Sequence, residues 1–271
     1  MNNEKQKTFK FQGEIMKKIF ILVFTILVGC DIINPPKKED NTTALATLFL
    51  ATRNQAVASS CNQSSTTGIA NTAVSSVSRT DYIVSGCSAS NISSIGFSAD
   101  SSIISGMTGT STSSRILSNG DLFSSAGAAG DRSIEVTFSL LNSSSFLEIV
   151  TRASGTISTF DGSTVRITPT GVLIRNTGAT ATASIGGTVS APGTGTIRTY
   201  CIDAHKESGG DHLIFWPTAC ALVTQRTPTF TNDTENVTAG QGNRLGFILN
   251  GATVTNFKVG TRVAISGRFL E

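Results

Sequence analysis

Over residues 133–140 apolar and polar side chains alternate strictly. Ile134, Val136, Phe138 and Leu140 fall on one face, and Glu135, Thr137 and Ser139 on the other. A period of two predicts a half-buried antiparallel strand. Similar runs recur at 146–153, 163–168, 171–176, 183–190, 196–205, 212–216, 245–249, 251–259 and 262–269. Turn clusters separate them, among them Asp161-Gly162, Thr170-Gly171, Pro192-Gly193 and Ser208-Gly209-Gly210-Asp211. Many short strands at near-regular spacing, with no long helix between them, predict an all-β antiparallel sandwich or barrel over residues 118–271.

Ahead of that region the pattern changes. Of the 60 residues from 59 to 118, 27 are Ser or Thr, interleaved with small apolar side chains. Residues 80–85 and 101–105 keep strand character, so short strands and long loops are expected. Residues 44–58 carry Leu45, Leu48, Phe49, Thr52 and Ala56 near helical spacing behind Asn41-Thr42-Thr43, which predicts a short N-terminal helix. The reading therefore divides the mature chain into a tether at 30–43, a helix plus Ser/Thr-rich segment at 44–117, and a sandwich at 118–271.

The tether begins at a processing signal. Lys17 and Lys18 form a basic start, residues 19–27 an apolar run, and Leu27-Val28-Gly29-Cys30 a lipobox. The apolar run is well short of the roughly 20 residues a spanning helix needs, and Asp31 ends it. Residues 1–29 are thus expected to be a lipoprotein signal peptide whose true start is Met16, with Cys30 the lipidated N-terminus that holds the protein to a membrane. Pro35-Pro36 and the charged run 37–40 suit a polar spacer. Removing residues 1–29 takes away Lys5, Lys7, Lys10, Lys17, Lys18, Glu4 and Glu14, which leaves 16 basic and 16 acidic side chains. A balanced chain offers no electrostatic case for nucleic acid.

Four further cysteines, Cys61, Cys87, Cys201 and Cys220, suit disulfides in an exported chain. Three pairings are possible. Loop closure favours the two local ones, Cys61 with Cys87 and Cys201 with Cys220. No Cys-x-x-Cys spacing occurs, so zinc ribbons and thioredoxin chemistry lack support.

The order SIEVTFSL, FLEIVTRAS, VRITPTGVLIRN, TYCIDAH, HLIFW and RLGFILNGATVTNFKVG resembles the concanavalin A-like (laminin G, lectin and glucanase) jelly roll found in spirochaete-type surface lipoproteins. The resemblance covers roughly residues 118–269 and lies in strand order rather than in a signature motif. It implies two face-to-face antiparallel sheets, a concave face that often binds glycans, and disulfides that clip strands. It also bears on location. Asp31 after the acylated cysteine retains lipoproteins at the inner membrane in enteric bacteria, whereas the spirochaete resemblance points to the outer membrane and cell surface.

Glucanases of that fold carry closely spaced carboxylates on one strand, and this chain lacks them. Glu135 and Glu148 stand alone on their strands, and Asp233 with Glu235 lies in a stretch that reads as loop. Gly-x-Ser-x-Gly, His-Glu-x-x-His and a phosphate-cradling glycine loop are all missing. The expectation is that the chain is not an enzyme. The densest polar chemistry is the hairpin over 200–216. If His205 faces His212, then Asp203 faces Ile214 and Cys201 faces Trp216. Asp203, His205, Asp211, His212 and Trp216 are the candidate ligand-binding residues, with calcium or zinc as the cation they would suit. The bland alternative is a solvated hairpin tip, with Trp216 in the core beside a disulfide. The expected function is a lipid-anchored surface binding module for a glycan, an extracellular-matrix component or a host protein. A divergent glycan hydrolase and a non-binding structural envelope lipoprotein are the alternatives.

Overall fold

The alternating run around Ile134 forms a strand, Arg132–Leu140, that is buried along both faces through most of its length. In the computed structural model the described residues are 60–69, 77–123, 132–175, 191–207, 210–223, 230–233 and 242–261. They all belong to one compact unit, residues 54–271. Cys30, the tether, the helix expected at 44–58 and the strands expected at 183–190 and 262–269 lie outside the described residues.

In chain order the described strands are β1 (Asn62–Ile69), β2 (Val77–Ile83), β3 (Phe97–Ala99), β4 (Ile103–Ile104), β5 (Thr108–Gly109), β6 (Ser114–Ser118), β7 (Arg132–Leu140) and β8 (Phe146–Ser154). They continue with β9 (Asp161–Thr168), β10 (Gly171–Arg175), β11 (Arg198–Glu207), β12 (Gly210–Trp216), β13 (Phe230–Asp233), β14 (Arg244–Asn250) and β15 (Ala252–Thr261). Two antiparallel sheets result. One runs β1-β2-β15-β7-β11-β12-β13, with β5 joined to β15 and β4 to β5. The other runs β10-β9-β8-β14-β6-β3. The protein is an all-β sandwich.

The inner faces meet in one apolar core. Phe257 of β15 stacks on Tyr82 of β2 at 4.4 Å between ring centroids, and Phe97 of β3 meets both edge-on at 5.5 Å. Phe247 of β14 closes the group at 5.0 Å from Phe257. A second group, Phe138, Tyr200 and Phe215, joins β7, β11 and β12 with centroids 5.1 Å apart. Each such pair adds about 0.5–1.5 kcal/mol beyond area burial. These clusters stitch strands that are distant in sequence.

The chain passes from β14 to β15, and so from one sheet to the other, through Gly251 alone. Its φ is +53°, and an added Cβ would sit 2.5 Å from Ser145 Oγ. Glycine is required there both by the backbone and by space.

Both sheets run across the division expected at residue 118. Strand β2 lies between β1 and β15, and β3 and β6 belong to the six-stranded sheet, so the Ser/Thr-rich stretch is built into both layers. Its apolar side chains Tyr82, Val84, Phe97, Ile103 and Ile116 are all buried in the common core. Its hydroxyls satisfy backbone and side-chain groups that lack sheet partners. Asp100 accepts from the Arg115 and Ser102 N–H groups at 2.5 and 2.9 Å, and from Ser102 Oγ. Ser118 Oγ accepts from the Leu245 N–H at 3.0 Å and donates to the Gly120 carbonyl at 2.8 Å. Low sequence complexity thus coexists with a specified structure, in which these polar groups are paired.

Candidate functional site

Strands β11 and β12 form the hairpin that the sequence singles out. Their register sets Cys201 opposite Trp216, Asp203 opposite Ile214 and His205 opposite His212. Ile202, Ala204, Leu213 and Phe215 enter the core, which leaves Cys201, Asp203, Ile214 and Trp216 on the outward face of the nine-stranded sheet. Strand β13 extends the third row, because His212 also pairs with Asp233. The register therefore lines up Asp233, His212 and His205 on three adjacent strands. Asp233 was assigned to a loop in the sequence reading. Its strand is only four residues long, and the polar TND that ends it carries no period-two signal.

Asp203 and Trp216 are not solvent-facing. Asp203 is fully buried, and its Oδ1 accepts from Ser133 Oγ at 2.8 Å. Trp216 is 5% exposed. Trp216 thus lies as the core alternative had it, beside a disulfide, and the Asp203 carboxylate is bonded within the protein. Opposite Trp216 stands Cys201, whose disulfide ties this face to a short turn. The Cys201–Cys220 disulfide is closed, with an S–S distance of 2.05 Å, and a short 3-10 turn at Cys220–Leu222 lies against the outward face. The second disulfide is also the expected one, Cys61–Cys87.

That covered face carries a row of alternating character. Across it stand Trp216, Cys201, Glu135, Lys258, Asp81 and Ser64, each opposite the next. Glu135 is 4% exposed. Its Oε1 lies 2.7 Å from Lys258 Nζ, and its Oε2 accepts the Cys220 N–H at 2.8 Å. Arg79 pairs with Asp81 at 3.0 Å. Every carboxylate described in this row is thus engaged by a cation or a donor of the protein itself. The row locks strands together and pins the disulfide-bearing turn.

The outward face of the six-stranded sheet follows the same logic. Leu147 and Ile149 enter the core, so Glu148 points outward, where Arg166 of β9 meets it at 2.8 Å. The Arg166 guanidinium also lies 3.7 Å from the centre of the Phe146 ring. Arg115 sits 5.1 Å over Phe160 and donates to its carbonyl at 3.1 Å, and Arg152 lies 5.5 Å from the ring of Phe123, which belongs to the inter-sheet core. These guanidiniums occupy one face of each ring through cation–π contact. Sequence reading missed the stacks, since only the β8–β9 register brings Arg166 beside Phe146 and Glu148.

No group of three or more His, Cys, Asp or Glu side chains placed to hold a metal exists among the described residues. The calcium or zinc expectation rests on Asp203, His205, Asp211 and His212; Asp203 is bonded to Ser133, and strand register sets His205 opposite His212 and Asp211 opposite Lys206.

No family model matches this chain, and no curated protein matches it. Among solved structures it is similar to a protein of unknown function from Shewanella oneidensis MR-1, with 12% sequence identity and a TM-score of 0.38, covering 88% of this chain and 100% of that one.

Proposed function

We propose that this chain is an exported, lipid-anchored sandwich of concanavalin A-like jelly-roll topology that acts as a binding module on the bacterial outer surface, with a glycan or an extracellular host protein as ligand. The observation that carries the reading is the pairing of all four cysteines beyond Cys30 into two disulfides within one sandwich, downstream of a lipobox that ends at Cys30. Paired cysteines suit an oxidising compartment, and the lipobox supplies the anchor. Jelly-roll topology is supported by antiparallel pairing throughout and by a chain that repeatedly changes sheets, as from β6 to β7 to β8 and from β13 to β14 to β15.

Binding has more support than hydrolysis. Glu135 and Glu148 stand on the outward faces of different sheets, whose backbones are about 10 Å apart before either side chain extends away. Glycosidase carboxylates instead sit about 5–9.5 Å apart and face one another. Each glutamate is already engaged within the protein, Glu135 by Lys258 and Glu148 by Arg166. The ligand is assigned to the Asp233-His212-His205 row, since the register brings three polar residues side by side there. Because Trp216 is enclosed, recognition relies on hydrogen bonds or a bridging divalent cation rather than on that indole.

Cells that express the full chain, presented to glycan arrays and immobilised matrix proteins, test the proposal. Binding should exceed that of empty cells and fall to that background in His205→Ala with His212→Ala. Binding no greater than background, or binding indifferent to the double substitution, contradicts it.

A further inference from the structure

We propose that Asn119-Gly120 is a self-modifying site, at which the Asn119 side chain cyclises onto the next backbone nitrogen and is converted to aspartate and isoaspartate. The chain contains two Asn-Gly pairs, 119-120 and 250-251. They sit in opposite environments.

Asn119 and Gly120 are both exposed just beyond β6. An added Cβ at Gly120 would meet nothing within 4 Å, so no packed neighbour crowds this residue. The Asn119 backbone is held in place by its N–H, which donates to the Gly96 carbonyl at 2.8 Å. Ser98 Oγ donates to Asn119 Oδ1 at 2.6 Å. That bond draws electron density from Cγ and stands where negative charge develops when Cγ is attacked, the role of an oxyanion donor. At the second pair the reacting groups are already committed. The Gly251 N–H donates to the Gly109 carbonyl at 3.1 Å, and Asn250 Nδ2 donates to the Ser144 carbonyl at 3.1 Å.

The chemistry needs only solvent. The Gly120 amide proton passes to hydroxide as its nitrogen bonds to Asn119 Cγ. The Cγ–Nδ2 bond then breaks, and the amine leaves as ammonia with a proton from water, closing a five-membered imide. Water adds to either imide carbonyl. Opening at one gives aspartate, and opening at the other gives isoaspartate, with an extra methylene in the backbone. The net change is one amide and one water converted to one carboxylate and ammonium. A negative charge thereby appears beside Asp121.

The test is incubation of the full chain in detergent at mildly alkaline pH, followed by tryptic mapping and isoaspartyl methyltransferase labelling. The peptide 116–132 holds Asn119 as its one asparagine, and the peptide 245–258 holds Asn250. The first should gain the mass of amide-to-acid conversion and accept the methyl label while the second stays unchanged. Gly120→Ala, whose Cβ the structure accommodates, should abolish labelling of 116–132 over the same period, and Ser98→Ala should slow it. An unmodified 116–132 peptide, earlier conversion at Asn250, or rates indifferent to both substitutions would overturn the proposal.

Discussion

Glu135 and Lys258 meet at 2.7 Å on neighbouring strands, and the glutamate is almost wholly enclosed while the lysine side chain keeps 33% of its exposure. The pair lies beneath the disulfide-bearing turn, since the other glutamate oxygen accepts the Cys220 N–H. A charge held in that way is costly to leave alone.

Lys258→Ala should therefore destabilise the fold by about 1–3 kcal/mol, between the limits for exposed and buried pairs. Glu135→Gln keeps an acceptor for the Cys220 N–H, and the double variant with Lys258→Met should recover part of the loss. Urea midpoints of the singles and the double give the coupling. A coupling near zero would mean that the lysine is solvated and contributes nothing.

Removal of the Cys201–Cys220 bridge acts on the same face. Its sequence separation of 19 corresponds to about 3 kcal/mol of loop-closure stabilisation. Cys201→Ala with Cys220→Ala should lower stability by about that amount. Trp216 stands opposite Cys201 and is the one tryptophan of the chain, so its emission reports locally. A red shift under native conditions is expected as the turn lifts. Unchanged emission would show that another segment keeps the indole enclosed.

Two tyrosines should make stability fall in alkali. Burial raises the Tyr82 hydroxyl above its ordinary value of 10.0, opposed in part by a hydrogen bond with Thr80. Burial likewise raises Tyr200, opposed in part by the charge of Arg198. Between the unfolded and folded pKa values the unfolded chain has released protons that the native state retains, so stability is intact below about pH 10 and falls above it. Unfolding free energy measured across that window should decline less steeply in Tyr82→Phe with Tyr200→Phe. An equal slope would place the alkaline transition elsewhere.

Much of the sandwich was legible because its strands carry one apolar face. The alternation over 133–140 becomes β7, and the runs near 146, 163, 171, 245 and 251 become β8, β9, β10, β14 and β15. Local loop closure also anticipated both disulfides. Strand β1 was not legible: NQSSTTGI has no alternation, its first six side chains are exposed, and it exists as the edge partner of β2. The place of β2 was hidden for a different reason. Its partner β15 lies far along the chain, at the opposite end of the described residues, and nothing local encodes that pairing. At the candidate site, polar alternation suggested that Glu135 and Asp203 face water. It could not reveal that Glu135 is held under the disulfide-bearing turn by the Cys220 N–H, or that Asp203 is buried against Ser133.

Metabolic palmitate labelling of the full chain in its native host tests the central claim most directly. The account predicts a labelled mature protein whose N-terminus is acylated Cys30, shed from intact cells by external protease. Cys30→Ser should leave an unlabelled, unprocessed precursor. Palmitate incorporation undiminished in Cys30→Ser, or a wild-type protein that takes up no label, would contradict a surface module anchored through that cysteine.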